Sequence, residues 1–304
     1  MESIGEKYSP LISQMMSCIK EQEFITDSNV YQPGNAALLP AIDTVLRDYL
    51  LPYSDINGFE NLIDLYNAAQ AGEPCLLLLE HYSNFDLPAF HYLLRQKGPQ
   101  GKAIADELVS IAGVKLNESS PIVNAFAQAY TRIVIYPSRS LEIIKENYKE
   151  PTKLYHEVMR SHSINRAAMK CLNSIKTCGK IVLVFPAGTR YRPWEPSTKR
   201  GVREIASYIK SFSKFCLVAI NGNILRINPS GEMEEDMLSK DILLYTVGPM
   251  RDCDEYRAQV KEESHASGED KKQILVDRLM QELEEMHNKT EAQREILLKS
   301  LRQA

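Results

Sequence analysis

Two short segments carry the side chains best suited to chemistry. The first is His81-Tyr82-Ser83-Asn84-Phe85-Asp86, which follows the apolar run Cys75 to Leu79. A His at the carboxyl end of a buried strand stands where α/β sheets place their ligands. Asp86, five residues on and past a turn, can swing back to one imidazole nitrogen of His81. That would fix the tautomer and leave the other nitrogen to accept a proton. Imidazoles titrate close to neutrality, which suits general-base work. The same Asp86, ahead of Leu87-Pro88, equally fits a helix N-cap. The second segment is Phe185-Pro186-Ala187-Gly188-Thr189-Arg190-Tyr191-Arg192-Pro193, after another apolar run. Pro and Gly turn the chain, and two guanidinium groups leave the turn at i and i+2. Arginine pairs bind phosphate through parallel, charge-assisted hydrogen bonds, each worth roughly 1.5–3 kcal/mol net. Arg139, just after the run Arg132 to Tyr136, offers a third side to such an anion cradle. Gly188 and Thr189 are candidates for oxyanion or loop support. A surface ion pair is the plainer reading of each arginine taken alone.

Other chemistries lack their signatures. The chain has no G-x-x-x-x-G-K-[ST] loop, no G-x-G-x-x-G fingerprint and no G-x-S-x-G elbow. His156-Glu157 begins an H-E-x-x pattern, but Arg160 stands where a second His is needed, so no metal site is expected. The six cysteines form no C-x-x-C pair and read as reduced, mostly buried thiols.

The two loops need strands to hold them, and the pattern supplies these. Cys75 to Leu79, Arg132 to Tyr136, Ile181 to Phe185, Phe215 to Ile220 and Ile242 to Val247 are short apolar or β-branched runs. Helical periodicity lies between them, at 58–71, 87–96, 152–177 and 202–213. The predicted fold is α/β, with a mixed, mostly parallel sheet flanked by helices. Residues 1–54 read as a small N-terminal helical cap and 55–304 as an α/β domain. Within the latter, 255–304 is a charged helical segment carrying the stripe Leu275, Leu279, Leu283 and Met286, with a linker at 264–270. That stripe fits a cover for the domain's own core, or else a docking element for a partner.

A chain of 304 residues with 44% hydrophobic and 25% charged residues can bury a sizeable core and is neither disordered nor fibrous. No apolar run approaches the ~20 residues that cross a bilayer, and the acidic first thirty residues resemble neither a signal peptide nor a transit peptide. A cytoplasmic protein is expected, or a stromal one if a transit peptide has been removed. The net charge of −4 conceals an asymmetry, since Arg139 to Lys214 holds sixteen Lys and Arg against six Glu and no Asp. A basic middle in an acidic chain suits a local anionic partner, either a phosphorylated small molecule or a nucleic acid. For the latter, Tyr191 and Trp194 would serve as stacking residues.

The His-x-x-x-x-Asp box followed about a hundred residues later by Phe-Pro-Ala-Gly-Thr-Arg resembles the glycerolipid acyltransferases. The nearer likeness is to soluble, chloroplast-type glycerol-3-phosphate acyltransferases and their bacterial relatives. Asn57-Gly58-Phe59-Glu60-Asn61, Ala112-Gly113, Asn165-Arg166 and Pro186-x-Gly-x-Arg190-x-Arg192-Pro193 add to it in order. Three positions depart from the pattern: Glu80 where the family often has Asn, Ala187 where membrane-bound members carry Glu, and Arg139 alone where a basic pair and a His are usual. The resemblance implies acyl transfer from acyl carrier protein or coenzyme A, as co-substrate rather than cofactor, to the 1-hydroxyl of glycerol 3-phosphate. His81 would be the base and Asp86 its orienter; Arg139, Arg190 and Arg192 would clamp the phosphate. Arg190→Ala is expected chiefly to weaken acceptor binding. Lysophosphatidate as acceptor, a non-catalytic phosphate or nucleic-acid binder, and transient contact with a membrane surface stay open at this point.

Overall fold

The computed structural model describes residues 7–19, 24–118, 121–137, 150–229, 235–263 and 270–303. The fold is mixed α/β, as the sequence pattern predicts. In chain order the strands are β1 (Tyr31–Gln32), β2 (Asp55–Asn57), β3 (Cys75–Leu79), β4 (Leu108–Gly113), β5 (Arg132–Ile135) and β6 (Ile181–Val184). They continue with β7 (Lys214–Asn221), β8 (Leu225–Arg226), β9 (Met237–Leu238), β10 (Leu244–Val247) and β11 (Arg251–Asp252). Two compact units divide the described residues. One gathers 43–108 and 176–303, the other 7–42 and 109–175. This partition runs differently from the expected division at residue 54.

In the larger unit the strand order is β6-β3-β7-β10-β2. β3 runs parallel to both β6 and β7, β10 is antiparallel to β7, and β2 is parallel to β10. β11 pairs with the start of β7. Every side chain of β3 is buried. Successive side chains point to opposite faces, so both faces of this strand are covered, as a continuous apolar run requires. The helix Phe59–Gln70 and the last helix, Lys271–Gln303, both pack on β7. Leu275, Leu279 and Leu283 are buried beneath that last helix. Its apolar stripe thus covers the unit's own sheet.

The smaller unit orders its strands β1-β5-β4, with β5 parallel to β4 and antiparallel to β1. The helix Pro151–Ile175 packs on β5 and buries Ile164, Ala168 and Leu172 at one-turn and two-turn spacing. Asn165 fastens it there: its amide oxygen accepts from the Tyr136 N–H at 2.8 Å, and its NH2 donates to the Tyr136 carbonyl at 2.9 Å.

Elements read from continuous apolar runs lie within a residue or two of their expected positions. β4 and the short strands β1, β2, β8, β9 and β11 have no counterpart in the sequence reading, and the expected helix at 202–213 is the shorter Ile205–Ser211. The linker read at 264–270 lies outside the described residues but for Asp270. Among the described residues no helix is long and apolar enough to cross a membrane. Cys75, Cys216 and Cys253 are buried, Cys171 is half-buried, and Cys18 and Cys178 are exposed.

Candidate functional site

β3 delivers His81 at its exit, and Asp86 opens the next helix, Asp86–Gln96. The Asp86 carboxylate does not cap its own helix. It turns back into the loop, where Oδ2 accepts from the backbone N–H groups of Tyr82 (2.6 Å) and Ser83 (2.8 Å) and meets His81 Nδ1 at 2.9 Å. The Ser83 hydroxyl adds a bond to Oδ1 at 3.2 Å. A buried carboxylate with these donors, at a helix N-terminus, is held as an acceptor. It therefore selects the His81 tautomer with hydrogen on Nδ1, leaving Nε2 with its lone pair. Among the described residues Nε2 has no hydrogen-bond partner. The imidazole stacks on Phe185, with ring centroids 4.0 Å apart and planes 20° from parallel, and its side chain remains 17% exposed.

Phe185 follows β6 and begins the second loop, so the two loops meet directly. The Tyr191 N–H donates to the His81 carbonyl at 2.8 Å, between the two arginines in sequence. At Gly188 the backbone takes φ of +65°, open to glycine at little cost, and its N–H donates to the Phe185 carbonyl at 2.9 Å. Gly188 thus serves the turn, with its amide already engaged. Thr189 is half-buried. The loop ends against the last helix at Gly201, where a Cβ would come within 2.4 Å of Val276 Cγ1.

The arginines are placed less simply than the sequence suggests. Arg190 is paired with Asp236, and their side chains are 10% and 1% exposed. Arg192 pairs with Glu195 at 3.2 Å, far more in solvent, at 35% and 49%. Arg139 lies outside the described residues. A cleft at the loop junction is lined by Glu80, His81, Tyr82, Tyr191, Lys199 and Met280, among others. The guanidinium groups of Arg190 and Arg192 are not part of that lining. Its cation is Lys199, 2.9 Å from Glu284 on the last helix and 5.7 Å from the centre of the Tyr191 ring. Tyr191 also meets Tyr82 edge-on at 6.0 Å, so this ring is packed within the loop junction. Trp194 is half-exposed.

Sequence reasoning missed Lys199, because its partner Glu284 lies 85 residues away in the chain. It noticed Glu80 only as a departure from a pattern. Glu80 is buried. It accepts from the Ile220 N–H at 2.8 Å and the Tyr82 hydroxyl at 2.9 Å, and faces His287 Nδ1 at 3.2 Å. It therefore ties the residue before His81 to β7 and to the last helix. Among the described residues no cluster of three His, Cys, Asp or Glu side chains is placed to hold a metal ion. No protein-family model and no curated protein matches this chain.

Proposed function

We propose that the chain transfers an acyl group from a thioester to the 1-hydroxyl of glycerol 3-phosphate, forming lysophosphatidate. The observation that carries this reading is the His81–Asp86 pair, tautomer fixed and Nε2 without a partner among the described residues, on a loop bonded to the arginine loop. Nε2 takes the hydroxyl proton as the oxygen attacks the thioester carbonyl. The tetrahedral intermediate collapses with loss of the C–S bond, and the imidazolium returns its proton to the departing thiolate of acyl carrier protein or coenzyme A. Asp86 stabilises that imidazolium. No acyl-enzyme is required, which suits a chain without a recognisable nucleophile motif.

Electrostatics apportion the acceptor's phosphate. An exposed ion pair is worth about 0–1 kcal/mol, so a phosphate readily displaces Glu195 from Arg192 or Glu284 from Lys199. Taking Arg190 from buried Asp236 would strand a carboxylate, at about 3–5 kcal/mol. Arg192 and Lys199 are therefore assigned the phosphate. Arg190 contributes while keeping Asp236; Arg139, which the resemblance adds to the clamp, lies outside the described residues. Gly188 and Thr189 shape the loop. The test is to incubate purified protein with acyl thioesters and either glycerol 3-phosphate or lysophosphatidate, and to identify the product by mass. Acylated glycerol 3-phosphate, lost in a folded His81→Ala variant, is expected. Wild-type turnover in that variant ends the mechanism, and acylation of lysophosphatidate alone replaces the acceptor.

A further inference from the structure

The helix Pro151–Ile175 buries one face in its own unit and leaves the opposite one bare. Tyr155, Met159, His162, Arg166, Met169 and Asn173 recur at spacings of three and four residues, and all are exposed. Such spacing places them on a single stripe. From Tyr155 to Met169 it runs about 21 Å along the helix. Tyr155 is 62% exposed, Met159 51% and Met169 48%. Tyr155 and Met159 adjoin one turn apart, with Met169 on the same line beyond His162 and Arg166, and exposed apolar side chains grouped on one helix face mark an interaction site.

Among the described residues the charge of this face has one sign. Arg166 lies on the stripe and Lys170 beside it, and neither makes an ion pair among the described residues. The helix has a single acid, Glu157, which accepts from the Tyr136 hydroxyl at 2.7 Å and pairs with Arg160 at 3.0 Å. Along one edge the segment 24–27 is pinned to the helix. Arg160 donates to the Ile25 carbonyl at 3.2 Å and Ser163 to the Asp27 carboxylate at 2.7 Å. Phe24, 62% exposed, stacks beneath the Arg160 guanidinium at 3.8 Å. Among the described residues Asp27 is the carboxylate at this border, and Ser163 donates to it.

A stripe one helix wide, with flexible methionines, an amphipathic tyrosine and long cationic side chains that reach outward, is the makeup of a helix lying in a lipid interface. Tyrosine favours the headgroup level, and cations are drawn to anionic lipid. We propose that this face of the helix Pro151–Ile175 docks the protein on the surface of an anionic bilayer. It lies flat, with Tyr155, Met159 and Met169 entering the interface and Arg166 and Lys170 at the headgroups. This contact does not depend on the acyltransferase reading, since it is measured without turnover.

The full chain is sedimented with phosphatidylcholine vesicles, with and without phosphatidylglycerol. Binding to the mixed vesicles only, weakened by added salt, is expected. The combined Tyr155→Ser, Met159→Ser and Met169→Ser variant should lose about tenfold or more in partition at an unchanged Tm. Arg166→Glu with Lys170→Glu, also at an unchanged Tm, should abolish the preference for phosphatidylglycerol. Absence of wild-type binding to mixed vesicles overturns the proposal. So does equal partition of the serine variant, or binding of this face to an acidic carrier protein with vesicles ignored.

Discussion

His81 depends on Asp86 for its tautomer, and Asp86 depends on Tyr82 and Ser83 for its position. That arrangement was legible in the sequence because its members lie within six residues and any turn between them brings them together. Arg190 shows the opposite case. Its partner Asp236 lies 46 residues away, so nothing in Thr189-Arg190-Tyr191 discloses that the guanidinium is already taken. The consequence reverses the sequence expectation for this residue. Arg190→Gln should cost stability first, about 3–5 kcal/mol, because it leaves buried Asp236 without its cation. Burial already holds the Asp236 pKa above the usual carboxylate value, with Arg190 working against the shift. Lys199→Gln gives up only an exposed pair. It should leave stability within about 1 kcal/mol of wild type while, on the proposed function, raising KM for glycerol 3-phosphate severalfold. A thermal melt beside a KM measurement separates the two, and a Lys199→Gln variant with unchanged KM removes Lys199 from the proposed phosphate site.

The elements that could be read were those whose pattern admits one interpretation. β3, β6 and β7 are unbroken apolar runs closed by turn residues, so both their extent and their burial followed. β4, Leu108 to Gly113, carries Ser110 and Gly113, which dilute the same signal. β1 is only two residues long, too short for any periodicity. Two helices also carry histidines whose titration should be visible in stability. His91, on Asp86–Gln96, is buried, and its Nδ1 accepts from Arg95 Nε at 3.2 Å. Burial, then the Arg95 charge, pushes its pKa down from 6.5 to about 4. The unfolded chain binds a proton there before the folded one does. Its contribution is therefore intact above about pH 6.5 and lost as pH falls towards 4, by roughly 3 kcal/mol at most. His287, on the last helix, runs the other way. Burial alone would lower its pKa, but the bond to Glu80, the Glu80 charge and the Glu291 charge outweigh burial and raise it above 6.5. That contribution is full below pH 6.5 and fades as pH rises through the raised value. Melts across this range should lose their acid-side slope in His91→Gln and their neutral-side slope in His287→Gln. Parallel curves for wild type and both variants would refute the assignment.

For the whole chain, composition foretold a core and the interleaving of runs foretold α/β. The grouping of residues into units did not follow, because contacts join segments far apart in sequence, such as 7–42 with 109–175. The basic stretch from Arg139 to Lys214 likewise divides on folding. Part of it becomes the loop around Arg190, Arg192 and Lys199, and part the exposed face of the helix Pro151–Ile175. Its net charge alone could not separate a small phosphorylated ligand from an extended anionic surface. The placement of the cysteines has a practical outcome. Burial pushes the thiols of Cys75, Cys216 and Cys253 up to about 12, and a protonated thiol is a poor nucleophile. Iodoacetamide should therefore modify native protein quickly at Cys18 and Cys178 and more slowly at half-buried Cys171. Alkylation at Cys75 and Cys216, followed by peptide mapping, should accrue only at the rate at which β3 and β7 part from their neighbours, so that its kinetics serve as a clock for opening of the sheet that holds His81.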